Sequence, residues 1–570
     1  MRGLALDALR QLRDGPCSAL DMRDAGTAQH LFDFLTGPAD DDYTDLLAHE
    51  FAYPGDAGAP TWTVSDFGER RLSALVIGAG LSGLSCAHRL HQAGVDVTVV
   101  EKNSDVGGSW HENTYPGCRL DTTNFGYSFT FAQTQLWPTQ YSTQPAIYSY
   151  FRNVADRRGL RELITFDTTV SSLDFDDSTK KWTARLVDSA GRTSTLTTDL
   201  VVSATGQLNQ PNIPDIPGSD NFSGPRWHTA RWRHDVDVGR RRVGVIGTGA
   251  SAFQAIPELA SSSPAVIVFQ RTPPWLLPAP DYRQRIAPGM TWLLRHVPHY
   301  YRWYRLFQFW TTVEGRRPYV EVDPTWTGTD SVSAKNNELR EVLTGYLENQ
   351  FGARPDLLPA VTPSYPPGAK RMLRDDGAWA ETLSKSHVEL VTAPIERLEP
   401  DGVRTSDGVL HEVDVLVYGT GFKASEFLGS LTVTGRDGRD LHAYWDGDAR
   451  AFHGITVPGF PNLFCLYGPN TNLVVNGSIL LFSELAVNVV LEAARALLEG
   501  DHRTVEVREG PYLRHNEELD RANALMAWGA SEVSSWYKNA RGRVTQNWPY
   551  RTLDYWRATR VVDAEHYEFD

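Results

Sequence analysis

The chain has 570 residues and a net charge of −15, so two to four domains around a large core are expected, and general nucleic-acid binding is excluded. Its four cysteines, Cys17, Cys86, Cys118 and Cys465, form no C-x-x-C pair; this excludes a zinc ribbon or a dithiol redox centre, leaves no metal site to expect and suits a reducing cytosol. The opening apolar run is broken by Asp7 and Arg10 and no run reaches the ~18 residues of a membrane span, so a cytoplasmic protein without a signal peptide is expected.

Residues 1–70 read as an extension. Leu4, Ala8 and Leu12, then Leu31, Phe34 and Leu35, have helical spacing, and Pro54 to Pro60 is a Gly/Ala/Pro-rich linker. A small helical element is expected, packed on the main body or on a second copy of the chain. Ser73–Ile77 then has the pattern of a buried parallel strand. Gly78-Ala79-Gly80-Leu81-Ser82-Gly83 follows, a helix runs from Leu84 to Ala93, and a strand over Val95–Val100 ends in Glu101. A strand before the glycines, a helix after them and an acid about 20 residues on make a dinucleotide site. The glycines then turn the chain, bring backbone to a pyrophosphate and pack helix on strand, while Glu101 accepts from a ribose.

The paired glycines of Gly107-Gly108-Ser109-Trp110 permit close approach to a ligand. Arg119 and Asp121 fall close together, a pairing more common as a salt bridge on a surface turn. Leu163–Val170 and Trp182–Leu186 read as strands of a meander. Leu200 to Gly206 is a strand running into a turn, with Gln207 next, and Pro211, Pro214 and Pro217 stiffen a connector. The segment Phe222 to Trp232 precedes a second nucleotide pattern: strand Arg242–Ile246, Gly247-Thr248-Gly249-Ala250-Ser251-Ala252, a helix to about Ala260, and strand Ala265–Phe269. This strand ends in Gln270-Arg271-Thr272, with no acid where Glu101 stands in the first pattern. Arg271 can pair with a 2′-phosphate that a carboxylate would repel. The first site therefore suits FAD or NAD, and the second NADPH. Phe222–Trp232, lying between them, either couples the two sites or plugs an interdomain seam with its aromatics.

Residues 275 to about 360 lack this alternation. The aromatic stretch Trp292–Thr312 reads as the core of a helical insertion, or else as the wall of an apolar pocket. Lys370-Arg371 follows a rigid turn; alone, such a pair is usually solvated surface. Val388–Thr392, Val403–Thr405 and Val413–Tyr418 read as strands. Gly419-Thr420-Gly421 resembles Ala204-Thr205-Gly206, each where the chain could cross between domains. A strand over Leu463–Tyr467 leads to Gly468-Pro469 and a helix from about Ser478, whose N-terminus could face an anionic or carbonyl-rich ligand. Ser535–Asn539 and Gln546–Pro549 form an aromatic, amide-rich tail.

Together these motifs resemble the Baeyer–Villiger monooxygenases, a flavin- and NADPH-dependent family, over residues 70–570. The family pattern F-x-G-x-x-x-H-x-x-x-W, followed by Pro or Asp, is matched by Phe222, Gly224, His228 and Trp232, with Arg233 departing at the last position. The resemblance implies an α/β fold: two Rossmann-like dinucleotide-binding domains, for FAD and NADP, with a helical insertion and a small N-terminal helical extension. The expected division is 1–70 (extension), 71–210 (FAD domain, first part), 211–410 (NADP domain, with the insertion at about 277–365) and 411–570 (FAD domain, second part, and tail).

Arg371 and Asp121 fall on the family's catalytic arginine and active-site carboxylate. Cofactor contacts are implied for Gly78, Gly80, Ser82, Gly83, Glu101, Gly108, Ser109, Trp110, Arg119, Asp121, Tyr127, Val170 and Gln207. On the NADP side they are implied for Gly247, Thr248, Gly249, Ala250, Ser251, Ala252, Arg271, Thr272, Lys370 and Trp536. His111-Glu112 replaces aromatics common in the family and, with the extension, is similar to the 4-hydroxyacetophenone monooxygenase branch. The implied reaction uses NADPH and O₂ to insert one oxygen next to a ketone carbonyl through a peroxyflavin, giving an ester or lactone; NADP⁺ stays bound and His228 couples the domains. Trp232 favours this over the S- or N-oxygenating flavin monooxygenases, and Arg371 with Asp121 favours it over a non-oxygenating NADPH-binding sensor. The expected partners are a ketone and O₂, with neither nucleic acid nor membrane, and a homodimer formed through the extension.

Overall fold

Each glycine pattern follows the middle strand of a five-stranded sheet. In the first sheet the order is Leu463–Cys465, Leu200–Ser203, Ser73–Ile77, Asp96–Val100 and Ile164–Thr165; in the second it is Val388–Val391, Ala265–Phe269, Arg242–Ile246, Val415–Tyr418 and Arg226–His228. Every neighbouring pair is parallel. Leu200–Ser203 and Val415–Tyr418 are buried along their whole length, as strands covered on both faces must be. The computed structural model describes residues 2–15, 25–36, 41–51, 56–297, 300–312, 314–475 and 477–570. Cys17, Pro54 and Gly55 of the expected linker, and residues 298 and 299 of the aromatic stretch lie outside the described residues; Cys86, Cys118 and Cys465 are buried and free.

Helices Leu81–Gln92 and Ala250–Ser262 take Gly80 and Gly249 as N-caps. The first begins earlier than expected because Leu81, Ser82 and Gly83 form its opening turn, whose N–H groups need no intrahelical partner. Helix Ile479–Glu499 packs on it, with Ser82 Oγ and Ser483 Oγ 2.8 Å apart. Its N-cap is Ser478, the start expected from the sequence. The strand before it stops at Cys465, and Tyr467 has a left-handed φ of 55°.

The expected strand over 163–170 divides at Asp167, whose φ of 51° breaks extension. Ile164–Thr165 joins the first sheet, while Thr168–Asp176 pairs antiparallel with Lys181–Asp188, which pairs with Thr193–Thr198. The segment 222–232 is more than a connector: Arg226–His228 is the edge strand of the second sheet, in register Val417↔Trp227 and Tyr418↔His228.

Residues 277–365 carry helices Pro288–His296, Tyr300–Thr312 and Ala334–Gln350. The extension carries helices Arg2–Asp14, Ala25–Thr36 and Thr44–Phe51. Phe32, Tyr43, Leu46, Leu47 and Phe51 share one buried cluster with Leu306, Phe309, Phe482 and Trp548. The second and third helices of the extension therefore sit on the body of their own chain, although Phe34 is 77% exposed.

Candidate active site

A cavity of about 2020 Å³ runs along the C-terminal ends of both sheets, the place where open parallel sheets leave a crevice for ligands. At its first end the floor is bare backbone. Gly78 has φ 102°, and a Cβ there would stand 2.8 Å from the Ala204 carbonyl oxygen; a Cβ on Gly108 would stand 2.9 Å from Gly80 Cα. Glu101 Oε2 accepts from Ala79 N at 2.6 Å, and its Oε1 accepts from Asn103 N at 2.9 Å. Burial raises the Glu101 carboxyl pKa against the pull of these bonds. Trp110 Nε1 donates to Tyr127 Oη at 2.9 Å. Gln207 donates to the carbonyls of Tyr467 and Gly468 at 2.9 and 3.1 Å, and its own Oε1 is buried without a protein partner.

In the middle stands an ion pair between residues 250 apart in sequence. Arg371 Nη2 and Nε both donate to Asp121 Oδ2, at 2.6 and 3.0 Å. Each side chain is 27% exposed, and both line the cavity. Arg371 Nη1 reaches the Leu473 carbonyl at 3.4 Å, and Arg374 Nε donates to the Asp121 carbonyl at 3.2 Å. The Asp121 charge, working against burial, raises the guanidinium pKa above its already high ordinary value. The surface-turn pair of Arg119 with Asp121 does not form. Arg119 Nη1 donates instead to the Tyr282 carbonyl at 3.0 Å, with its guanidinium over the Tyr282 ring. Asp121 turns to the cation that the second half of the chain delivers, which local spacing could not show.

At the second end Gly247 repeats the geometry of Gly78, with φ 103° and a Cβ position 2.5 Å from the Gly419 carbonyl oxygen. Thr248, Gly249, Ala250 and Ser251 line the cavity beside Arg271, Thr272, Lys370 and Trp536. Burial, and then the charge of Arg271, push the Lys370 amine down to about 8. Among the described residues, neither cation makes an ion pair with a carboxylate. Lys370 is thus no solvated surface lysine; it is half-buried beside a like charge.

Ser82, Ser109 and Val170 also line the cavity, but Gly83 and Ala252 do not. These two seat helices on strands: a Cβ on Gly83 would fall 1.9 Å from the Gly78 carbonyl oxygen, and one on Gly419 would fall 2.5 Å from Ala252 Cβ. Phe222, Gly224, His228 and Trp232 do not line it either. Phe222 packs with Ile246, Phe269 and Leu416, and Gly224 lies against the Asp414 carbonyl. Trp232 packs by Tyr115, Cys118 and Ala255, in the seam between the two halves. His228 is buried against Phe422, which does line the cavity, and its Nδ1 accepts from Ala230 N. Burial pushes His228 down to about 4.

Glu112, which stands where the family commonly has an aromatic, ties the first end of the cavity to this segment. Its carboxylate pairs with Lys102 at 2.7 Å and with Arg231 at 2.9 Å. Despite burial, hydrogen bonds from Lys102 and Arg231 hold its pKa below the usual range. Thr114 Oγ1 and His234 Nε2, 2.8 Å apart, make a second link. No pattern in the sequence joins position 112 to 231.

Residues 75–308 match the family described as pyridine nucleotide-disulphide oxidoreductase. The chain is 36% identical over 573 residues to an uncharacterised monooxygenase of Sinorhizobium fredii, a match covering all of this chain and 85% of the other. It is 35% identical over 498 residues to a Streptomyces coelicolor protein named Baeyer–Villiger monooxygenase, covering 86% of this chain and 92% of that one. Among solved structures, that of OTEMO in complex with FAD and NADP superposes with a TM-score of 0.74 at 26% identity, over 88% of this chain and 99% of the other.

Proposed function

The chain belongs to the Baeyer–Villiger monooxygenase family, and from that premise we propose that Arg371 and Asp121 are the working centre of an FAD- and NADPH-dependent enzyme that inserts one oxygen atom next to a ketone carbonyl, giving an ester or lactone. The observation that carries this reading is their ion pair inside a cavity with a dinucleotide turn at each end. FAD bound in this cavity would supply the activation of O₂, with NADPH as the source of electrons.

The residues present fit both cofactors. The bare floor at Gly78, Gly80 and Gly108 would take a pyrophosphate, with Ser82, Ser109, Trp110, Arg119, Tyr127, Val170 and the unpartnered Oε1 of Gln207 around the rest of FAD and Glu101 toward its ribose. Gly247, Thr248, Gly249, Ala250 and Ser251 would hold NADP(H), with Trp536 beside it. Arg271, Thr272 and Lys370 suit its 2′-phosphate, because two adjacent cations without carboxylate partners are stabilised by an anion between them. Gly83 and Ala252 contribute by seating helices rather than by touching a cofactor.

Arg371 would bind the ketone oxygen and stabilise the negative charge that grows there; its charge is permanent at working pH. Asp121 fixes the direction of the guanidinium, so no reorganisation is needed as that charge develops, an effect typically worth ~3 kcal/mol. His228 does not face the cavity and is neutral near pH 7, so its part is structural or coupling rather than proton transfer. S- or N-oxygenation as the main activity is not favoured by the named relatives.

The finer assignments belong to the same proposal: the four-part division of the chain, the 4-hydroxyacetophenone branch on His111-Glu112 and the extension, a homodimer formed through the extension, and a cytoplasmic location. Among the described residues no helix is long and apolar enough to cross a membrane. Arg371→Ala is the test. It should leave flavin reduction by NADPH within a few-fold and abolish ester formation from a methyl ketone. Ester appearing at an unchanged rate would remove Arg371 from the mechanism.

A further inference from the structure

Helix Tyr300–Thr312 faces two ways. Phe309 lines the cavity, and with Leu473 and Ile479 it makes an apolar corner. That corner adjoins Arg371, whose Nη1 reaches the Leu473 carbonyl. The same cluster is closed from behind by the extension, through Tyr43, Leu46, Leu47 and Phe51, and Tyr43 meets Trp310 edge-on at 5.1 Å.

One turn before Phe309 stands Arg305, with its side chain 3% exposed. It pairs at 3.0 Å with Glu50, 1% exposed, near the end of helix Thr44–Phe51. Its Nη1 donates to the Phe125 carbonyl and to Ser128 Oγ, on either side of Gly126 and Tyr127, which line the cavity. One buried guanidinium thus ties together the extension, the insertion helix and the loop bearing Tyr127. A buried cation needs its counter-ion, because losing one partner leaves an uncompensated charge in a low dielectric. Another carboxylate that feels Arg305 is Glu484, but its Oε1 accepts from Thr130 Oγ1 at 2.7 Å. Glu50 is therefore the direct partner of Arg305, and it comes from the extension.

We propose that residues 41–51 are the outer layer of the substrate wall. Glu50, acting through Arg305, and the apolar face of Leu46, Leu47 and Phe51 fix how closely the buried Phe309 backs the cavity and where Tyr127 stands at its wall, and so set the bulk of the ketone substituent that fits beside Arg371. Glu50 does not line the cavity; it is a positioning residue that determines specificity. The inference rests on the reading that this cavity takes a ketone.

The test uses the oxidised holoenzyme with NADP⁺ bound. Dissociation constants of a small aliphatic ketone and a phenyl-substituted methyl ketone are read from the flavin absorbance, and ester yield is measured alongside. The variants are Phe309→Ala, Glu50→Gln, Leu47→Ala, which leaves the ion pair intact, and Glu50→Asp. Phe309→Ala should move the ratio of the two constants by about tenfold, the scale of a group gained or lost in an apolar pocket. Glu50→Gln and Leu47→Ala should move it in the same direction, and Glu50→Asp should recover most of the change, with KM for NADPH steady throughout. A shift in Phe309→Ala alone, with Glu50→Gln and Leu47→Ala showing only lower unfolding temperatures, would overturn the proposal. Shifted ratios without ester from any ketone would sink the assigned reaction while supporting the wall; an unaltered enzyme that binds neither ketone would sink both.

Discussion

Lys370 and Arg271 are two cations held together in the cavity, and burial followed by the Arg271 charge sets the Lys370 amine at about 8. The protonated form is the one that pairs with a 2′-phosphate. As pH rises through 8 the free site loses that charge, so KM for NADPH should stay level below this point and climb above it. NADH, which lacks the phosphate, should show no such limb. Lys370→Met should raise KM for NADPH at pH 7 by about 10–100-fold, the worth of a charged hydrogen bond, and flatten the profile. Initial rates between pH 6.5 and 9.5 with both coenzymes check this. At this scale the sequence was partly legible. Arg271 stood out because an arginine replaces the acid of the first pattern. Lys370 and Arg371 did not, since adjacent cations ordinarily mark solvated surface, and their place came only from the family resemblance. The Arg371–Asp121 pair joins two halves of the chain, and the link from Glu112 to Arg231 had no signal at all.

Strand, glycine turn and helix are local structures, which is why Ser73–Ile77, Arg242–Ile246 and Ala265–Phe269 have the bounds their apolar runs suggest. The edge strand Arg226–His228 was not legible, because three residues carry no periodicity and its pairing partner, Val415–Tyr418, lies far along the chain. Nor was the break at Asp167, where a non-glycine residue adopts a left-handed φ. The two helix seats give a matched pair of predictions. In Gly83→Ala the new methyl overlaps the Gly78 carbonyl, a clash with backbone that cannot be relieved by a rotamer. The helix must move off its strand, and the protein should be purified without flavin. In Gly419→Ala the clash is with Ala252 on the second helix. Flavin content should be unchanged, while KM for NADPH rises by about tenfold or more, the order expected of overpacking by 1–3 kcal/mol. Flavin content and NADPH kinetics of the two variants, measured together, decide it; the opposite pattern would exchange the two assignments.

Over the whole molecule, acid should destabilise the fold. Burial pushes His49 and His88 down to about 3, helped by the charge of Arg89, and burial pushes His228 down to about 4. All three stay neutral in the folded chain while the unfolded chain protonates near 6.5. The stability they contribute is present above that pH and lost as pH falls toward 4 and 3, at about 2 kcal/mol each by pH 5. Glu484 works the other way: burial raises it to about 7, so its contribution is full below 4.5 and is lost as pH rises to 7. Burial also pushes His515 down to about 4 and His453 well down, so five histidines stand against the raised carboxyls of Glu101, Asp375, Glu484 and Glu506, and the apparent unfolding temperature of the flavin-saturated protein should fall below pH 6.5. A flat profile between pH 7 and 5 would contradict the neutral assignment of the histidines. The order of the strands also matters while the chain is being made. All five strands of the second sheet lie between Arg226 and Tyr418, but the first sheet sets Leu463–Cys465 against Leu200–Ser203, and its first helix is covered by Ile479–Glu499. At about 5–20 residues per second on the ribosome, Ser203 waits on the order of 10–50 s for its neighbour. The middle of this protein can therefore close before its beginning, and the nascent chain must be shielded through that interval with a strand edge unpaired and an apolar helix face bare.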